Sequence, residues 1–130
     1  PMAEGLFKQV LMNAGKTGMV VSSAGLNALV GHRADTSACQ LLAQRQIDIS
    51  MHRACQINSE MIRAANIVLV MELAHKMAIE AKEPSARGKI FRLGEWEKFD
   101  IPDPYQQGLS AFEHSLMLIE RGVSHWVDKL

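Results

Sequence analysis

The stretch Ile67-Val68-Leu69-Val70 is an uninterrupted apolar run of strand length. Such runs are typical of strands that are buried on both faces of a parallel sheet. A helical pattern over 73–82 follows at once and ends near Pro84, and residues 89–93 form the next strand candidate. The alternation of strand and helix predicts an α/β domain of three αβα layers with a mostly parallel sheet.

Apolar residues at helical spacing predict helices on both sides of this central unit. The clearest is the tail, where large apolar side chains recur every three or four positions as far as Leu130. Asp35 lies beside the first turn of another, and Asn58 or Ser59 can cap a shorter one. The predicted helices cover 3–11, 34–45, 58–65 and 109–130.

The remaining segments are predicted to be short strands and loops. Met19-Val20-Val21 is a strand candidate that runs into the loop Ser22-Ser23-Ala24-Gly25, and 47–49 is either a brief strand or an extended connector. Residues 100–105 must form a loop, since two prolines exclude a regular ladder or a helix interior.

Composition favours a single ordered domain over 1–130 and excludes several classes of protein. Hydrophobic residues make up 48% and charged residues 22% of the 130 residues, as is usual for globular domains. Lys+Arg and Asp+Glu both number 14, so no basic excess indicates nucleic acid. No apolar run is long enough to cross a membrane. Because only two cysteines occur, we expect a reducing, cytoplasmic setting.

Several motifs resemble the low-molecular-weight protein tyrosine phosphatases, in particular the bacterial members associated with exopolysaccharide export. The main matches are Pro1-Met2-Ala3-Glu4-Gly5 and Asp103-Pro104-Tyr105. None is specific alone, but together they follow the family's order and spacing. The resemblance implies a phosphotyrosine phosphatase I-like fold. Supporting matches are Ser23-Ala24-Gly25, Gly31-His32-Arg33-Ala34-Asp35, His52-Arg53-Ala54-Cys55-Gln56 and Val70-Met71-Glu72.

In this family the first strand ends in a phosphate loop, Cys-x5-Arg followed by Ser or Thr, and a helix opening with Pro-Met-Ala-Glu comes next. The resemblance therefore implies that the nucleophilic cysteine and the phosphate-binding arginine stand immediately before Pro1. We expect this chain to lack its first strand and its nucleophile, and to be inactive alone. We also expect the strand edges left unpaired to favour a dimer.

The implied reaction is the hydrolysis of phosphotyrosine through a cysteinyl-phosphate intermediate, which divides one difficult displacement into two easier ones. A carboxylic acid protonates the leaving phenolate and later activates water. The resemblance assigns this role to Asp103, although Asp is also common as a plain turn residue. It implies no metal and no organic cofactor.

The resemblance gives roles to five further residues, each of which also has an ordinary structural explanation. Tyr105 would form a wall of the phenol-binding cleft, or would simply be half-buried packing. Leu26 and Leu29 would lie beside the mouth of the site, or would be partly packed loop residues. Ser23 and His52 would hydrogen-bond to the phosphate loop and hold its shape.

Cys39 and Arg45 satisfy Cys-x5-Arg by count. The residues between them contain no glycine and follow a helical pattern, so their amides cannot converge on a phosphate. We therefore interpret the match as a coincidence. Cys55 is excluded because Met61 stands at the position that arginine would need.

Two functions stay open at this point. The first is a tyrosine phosphatase whose substrate is a phosphotyrosine protein, by resemblance a bacterial tyrosine autokinase. The alternative is a non-catalytic binding or regulatory module that has kept the scaffold without the nucleophile.

Overall fold

The computed structural model describes every residue from 1 to 130. Five α-helices, two β-strands and two 3₁₀ helices follow one another along the chain. They are α1 Met2–Asn13, α2 Thr36–Ala43, α3 Ser59–Ala64, β1 Val68–Val70, α4 Leu73–Lys82, a 3₁₀ helix Pro84–Ala86, β2 Ile90–Arg92, a 3₁₀ helix Glu95–Glu97, and α5 Leu109–Val127.

The two strands form a parallel pair that α4 connects. Leu69 lies opposite Phe91 in the register, and Leu93 N donates to Val70 O at 2.7 Å just beyond it. The strands predicted over 67–70 and 89–93 are therefore confirmed, each a little shorter than expected.

Two hydrophobic clusters lie on opposite faces of this sheet. The larger one joins α1, α2 and α5, and the side chains of Leu69 and Phe91 pack against it. The smaller one joins α3, α4 and the other face of the strands, where Val70 and Ile90 meet Ile79. Because successive side chains of a strand point to opposite faces, one sheet serves both clusters. The predicted three-layer αβα arrangement is confirmed.

Local sequence signals set the ends of the helices. The Asp35 carboxylate accepts from Ser37 N at 2.8 Å and the Asn58 side chain accepts from Met61 N at 2.9 Å, so both act as N-caps. Gly15 has a φ of 74° directly after α1, which is the left-handed conformation that commonly ends a helix.

The predicted strand at Met19-Val20-Val21 is wrong. These residues have no regular secondary structure and no strand pairing, and the Val20 side chain is 98% exposed. A strand needs a hydrogen-bonded neighbour, and none pairs with 19–21; the first bridge along the chain joins Gly25 to Gln56, four residues after Val21. Residues 47–49 form the extended connector rather than a strand, with Ile47 and Ile49 buried.

None of the helices is at once sufficiently long and sufficiently apolar to traverse a lipid bilayer. In α5, the longest of them, the predicted apolar stripe is confirmed as a buried face that packs on α1 and α2. Its buried members include Phe112, Leu116, Ile119, Val123 and Trp126.

Gly122 lies in the middle of α5 because the helix approaches the end of β2 closely. A Cβ atom on Gly122 would lie 2.7 Å from Leu93 Cγ and 2.8 Å from the Leu93 carbonyl oxygen. The backbone contact cannot be relieved by a side-chain rotation, so glycine is required for packing at this position.

Gly122→Ala should lower the free energy of unfolding by about 1–3 kcal/mol through overpacking, even though alanine is the better helix former. Urea denaturation of the variant measures the loss. Ser124→Ala, at an exposed position of the same helix, is the matched control and should change stability little. Equal stability of the glycine and alanine forms would contradict the close packing.

Candidate active site

The loop that holds Asp103 leaves the carboxyl end of the sheet and is fixed from two sides. Ile101 is 1% exposed and its N–H donates to Met71 O, just after β1, at 2.9 Å. The buried Ser115 of α5 donates its hydroxyl to Pro102 O at 2.8 Å. The residues immediately before Asp103 are therefore held by the core, although the loop itself is on the surface.

Asp103 is exposed, and its own loop orients it. Its carboxylate accepts from Tyr105 N at 3.0 Å, and its carbonyl accepts from the Gln107 side chain at 3.1 Å. This is the hydrogen-bond pattern that Asp commonly makes in turns. Tyr105 is half-exposed, at 51%, beside it. The predicted acid and the predicted aromatic wall thus share one short loop.

A hydrogen bond connects the first turn of α1 to Ser23, which lies between α1 and α2 in the sequence. Glu4 accepts from the Ser23 hydroxyl at 2.7 Å and from Lys8 Nζ at 2.9 Å. Burial acts to raise the pKa of Glu4, but the hydrogen bonds from Ser23 and Lys8 outweigh burial and hold the pKa below its usual value. Glu4 is therefore a carboxylate that connects α1 to the predicted site residue Ser23.

His52 lies within electrostatic reach of the same turn. Burial lowers the pKa of His52 and the positive charge of Lys8 lowers it further, whereas Glu4 acts in the opposite direction. The neutral imidazole is consequently favoured, which leaves one ring nitrogen free to accept a hydrogen bond.

Asp103 comes from a distant part of the sequence and lies near the same end of α1. The Asp103 carboxylate lies within electrostatic reach of the Pro1 nitrogen, as the Glu4 carboxylate does. Four groups from distant parts of the sequence, Glu4, Ser23, His52 and Asp103, therefore converge on the amino-terminal end of α1, where the helix dipole is positive.

The two leucines that were predicted to lie beside the mouth of the site differ in burial. Leu26 is partly buried and packs against the smaller hydrophobic cluster, whereas Leu29 is 47% exposed. Of the two, Leu29 alone presents a large apolar surface to solvent.

Two contributors to the candidate site, Glu4 and Ser115, were not predicted from the sequence. Glu4 could have been predicted, because it is an acidic residue in the first turn of a predicted helix, where negative charge is favourable. Ser115 could not have been predicted, because its partner, the Pro102 carbonyl, is known only once α5 has been placed in the fold.

The two cysteines lie in different surroundings, and neither is in a phosphate loop. Cys39 is within α2. Arg45, two residues after the end of this helix, donates to Leu41 O and pairs with the Glu120 carboxylate. Cys55 directs its sulfur at Ser23 O, 3.3 Å away. The structure contains no group of three or more His, Cys, Asp or Glu side chains that could hold a metal ion.

The fold and the site together define an α/β enzyme scaffold with an acidic loop beside a helix amino terminus. The model of the family "Low molecular weight phosphotyrosine protein phosphatase" matches residues 1–130. The chain belongs to this family. The predicted resemblance is therefore confirmed, and the enzyme class that it implies is a protein tyrosine phosphatase.

Relatives in other bacteria are similar in sequence along the whole chain. The "Probable low molecular weight protein-tyrosine-phosphatase EpsP" of Ralstonia solanacearum is 47% identical over 130 residues, which are 100% of this chain and 86% of that protein. The low molecular weight protein-tyrosine-phosphatase Ptp of Acinetobacter johnsonii is 37% identical over 130 residues, again 100% of this chain and 88% of the relative.

Solved structures show the same fold. Vibrio vulnificus Wzb in complex with benzylphosphonate has a TM-score of 0.91 and 34% identity, over 100% of this chain and 89% of that one. The tyrosine phosphatase Wzb from Escherichia coli K30 in complex with sulphate has a TM-score of 0.90 and 33% identity, over 99% and 87% of the two chains.

Ser115→Ala should lower the free energy of unfolding by about 1 kcal/mol, because the Pro102 carbonyl loses its buried donor. Amide hydrogen exchange across 103–107 should become faster in the same variant, since one of the two attachments of the loop is gone. Ser124→Ala is the control for the serine-to-alanine change. Unchanged exchange in this loop would show that Ser115 does not hold it.

The lowered pKa of His52 predicts a stability that depends on pH. The unfolded chain has an ordinary histidine pKa of about 6.5, so the unfolded state binds the proton first. The His52 contribution is thus fully present above about pH 6.5 and is lost as the pH falls through the lower pKa of the folded state. Denaturation from about pH 7.5 to 5.5 should show a smaller loss in His52→Gln than in the wild type.

His32→Gln, at an exposed histidine, is the matched control and should follow the wild type. The explanation is wrong if the His52→Gln and His32→Gln variants lose stability equally over this range.

Proposed function

We propose that this protein hydrolyses phosphotyrosine through a cysteinyl-phosphate intermediate and that Asp103 is its general acid and base. The observation that supports this most is the position of Asp103, which follows two residues that the core holds and lies within electrostatic reach of the amino-terminal end of α1. Helix amino termini favour phosphate groups, because free N–H groups and the dipole face the anion there.

In the proposed first step a thiolate attacks phosphorus and an S–P bond forms. The bond from phosphorus to the phenolic oxygen breaks, and the Asp103 carboxylic acid gives its proton to the leaving phenolate. In the second step Asp103, now a carboxylate, takes a proton from water as the water oxygen attacks phosphorus. The S–P bond breaks, inorganic phosphate leaves, and the thiolate is restored.

The thiolate in this proposal comes from residues before Pro1. Cys39 is held in a helix, and the Cys55 sulfur is directed at a backbone carbonyl, so neither is surrounded by the converging amides that a phosphoryl group requires. On this proposal the 130 residues supply the acid, the walls and the supports of the site, and have no turnover alone.

The other site residues act around the phosphoryl group. Tyr105 is a wall for the phenol ring, and Leu29, with Leu26 behind it, borders the mouth. Ser23 and His52 support the phosphate loop by hydrogen bonds. The direct bond from Ser23 to Glu4, with the neutral state of His52, is consistent with a supporting role for both.

The proposed substrate is a phosphotyrosine side chain of another protein, for which a bacterial tyrosine autokinase is our candidate. Dimerisation through unpaired strand edges, a cytoplasmic location and folding of 1–130 as one domain stay predictions.

Asp103→Asn should lower kcat toward phosphotyrosine by about 10²- to 10⁴-fold, as expected when a general acid is lost. The loss should be much smaller with 2,4-dinitrophenyl phosphate, whose leaving group needs no proton. The measurement uses the protein extended by the residues encoded before Pro1, with Asp128→Asn, another exposed aspartate, as the control.

The 130-residue chain should show no turnover of either substrate in the same assay. Turnover by this chain alone would contradict the proposed source of the thiolate. An extended protein that binds phosphotyrosine peptides without hydrolysing them would favour the alternative, a non-catalytic binding module.

A further inference from the structure

Residues 25–33 form a loop that segment 54–57 holds at both ends. At one end Gly25 N donates to Cys55 O, and Ile57 N donates to Gly25 O, both at 2.9 Å. At the other end Gly31 N donates to Ala54 O at 2.8 Å. The backbone therefore closes the loop but leaves its middle, residues 26–30, without a backbone hydrogen bond to any distant segment.

The side chain of Gln56 fills that gap. Its carbonyl oxygen accepts from Ala28 N at 2.9 Å, and its amide nitrogen donates to Leu26 O at 2.6 Å. These are the only two hydrogen bonds that connect residues 26–30 to another part of the chain. One planar amide thus holds the backbone of the loop at two points, two residues apart.

The same arrangement leaves one leucine of the loop packed and the other exposed. The Leu26 carbonyl and the Ala28 amide both face Gln56, the Leu26 side chain packs against the smaller hydrophobic cluster, and Leu29 is 47% exposed. A loop fixed in one such arrangement offers a preformed apolar contact, and preformed contacts cost less ordering free energy on binding.

We propose that Gln56 is a positioning residue for substrate selection: it holds loop 25–33 so that Leu29 contacts an apolar side chain next to the phosphotyrosine of a protein substrate. The inference rests on the proposed function. Because Gln56 itself is exposed, water can replace its hydrogen bonds after truncation. Its loss should therefore loosen the loop without unfolding the domain.

The test compares two substrates of the extended protein, a phosphotyrosine peptide with a leucine beside the phosphotyrosine and the small compound p-nitrophenyl phosphate. Gln56→Ala should raise KM for the peptide by about tenfold, the effect of losing roughly one to two hydrogen bonds. Because water replaces the lost hydrogen bonds in the folded protein, its kcat for both substrates and its KM for p-nitrophenyl phosphate should stay within about twofold of the wild type. Its midpoint of urea denaturation should not change.

Three further variants sharpen the comparison. Gln56→Met keeps the length of the side chain and removes both hydrogen bonds, so it should behave as Gln56→Ala does. Leu29→Ala should raise the peptide KM in the wild type but add little in the Gln56→Ala background, because the two residues act through one contact. Gln40→Ala, at an exposed glutamine whose side chain makes no hydrogen bond, should match the wild type.

An unchanged peptide KM in Gln56→Ala would overturn the inference, as would an equal loss on both substrates, which indicates a general structural role. In either case hydrolysis by the wild type would leave the proposed function intact. If the extended wild-type protein hydrolyses neither substrate, the proposed function fails and the inference fails with it.

Discussion

The parallel register of β1 and β2 is the constraint on which the rest of the site depends. It brings the exits of both strands to one edge, where Val70 O accepts from Leu93 N and Met71 O accepts from Ile101 N. Ligands of open α/β folds lie at this carboxyl edge of the sheet. Because Ile101 is buried two residues before Asp103, the sheet register also limits where the Asp103 carboxyl group can lie.

At the amino-terminal end of α1, Glu4 is the residue on which the arrangement of charges depends. It accepts hydrogen bonds from Ser23 and Lys8 and acts on the charge of His52. A single carboxylate thereby joins α1 to Ser23 by a hydrogen bond and acts on His52 through its charge alone. The same turn of α1 is packed against the core through Met2 and Leu6, so the charged cluster rests on a rigid element.

Much of the fold could be predicted from the sequence, because its signals are local. The apolar run at 67–70, the stripe of α5, the caps Asp35 and Asn58 and the prolines of 100–105 each record a physical requirement within a few residues. The strand predicted at Met19-Val20-Val21 failed, since β-branched residues form a strand only where a neighbouring strand accepts their hydrogen bonds.

The candidate site could be predicted only in part. Asp103, Tyr105, Ser23 and His52 were proposed through family motifs, whereas the supports of the site were not. Ser115, Gln56 and the close approach at Gly122 depend on side chains or backbones that meet across more than a dozen residues of sequence. Spacing and composition do not record such contacts, so they became visible only in the folded chain.

The most direct measurement is a crystal structure of the extended protein with bound vanadate, an oxyanion that imitates a phosphoryl group in transfer. We predict that vanadate lies at the amino-terminal end of α1, with the Asp103 carboxyl group facing its outermost oxygen and Tyr105 alongside. Vanadate bound elsewhere, or at α1 with Asp103 turned away, would contradict the assignment of Asp103 as the acid of a tyrosine phosphatase.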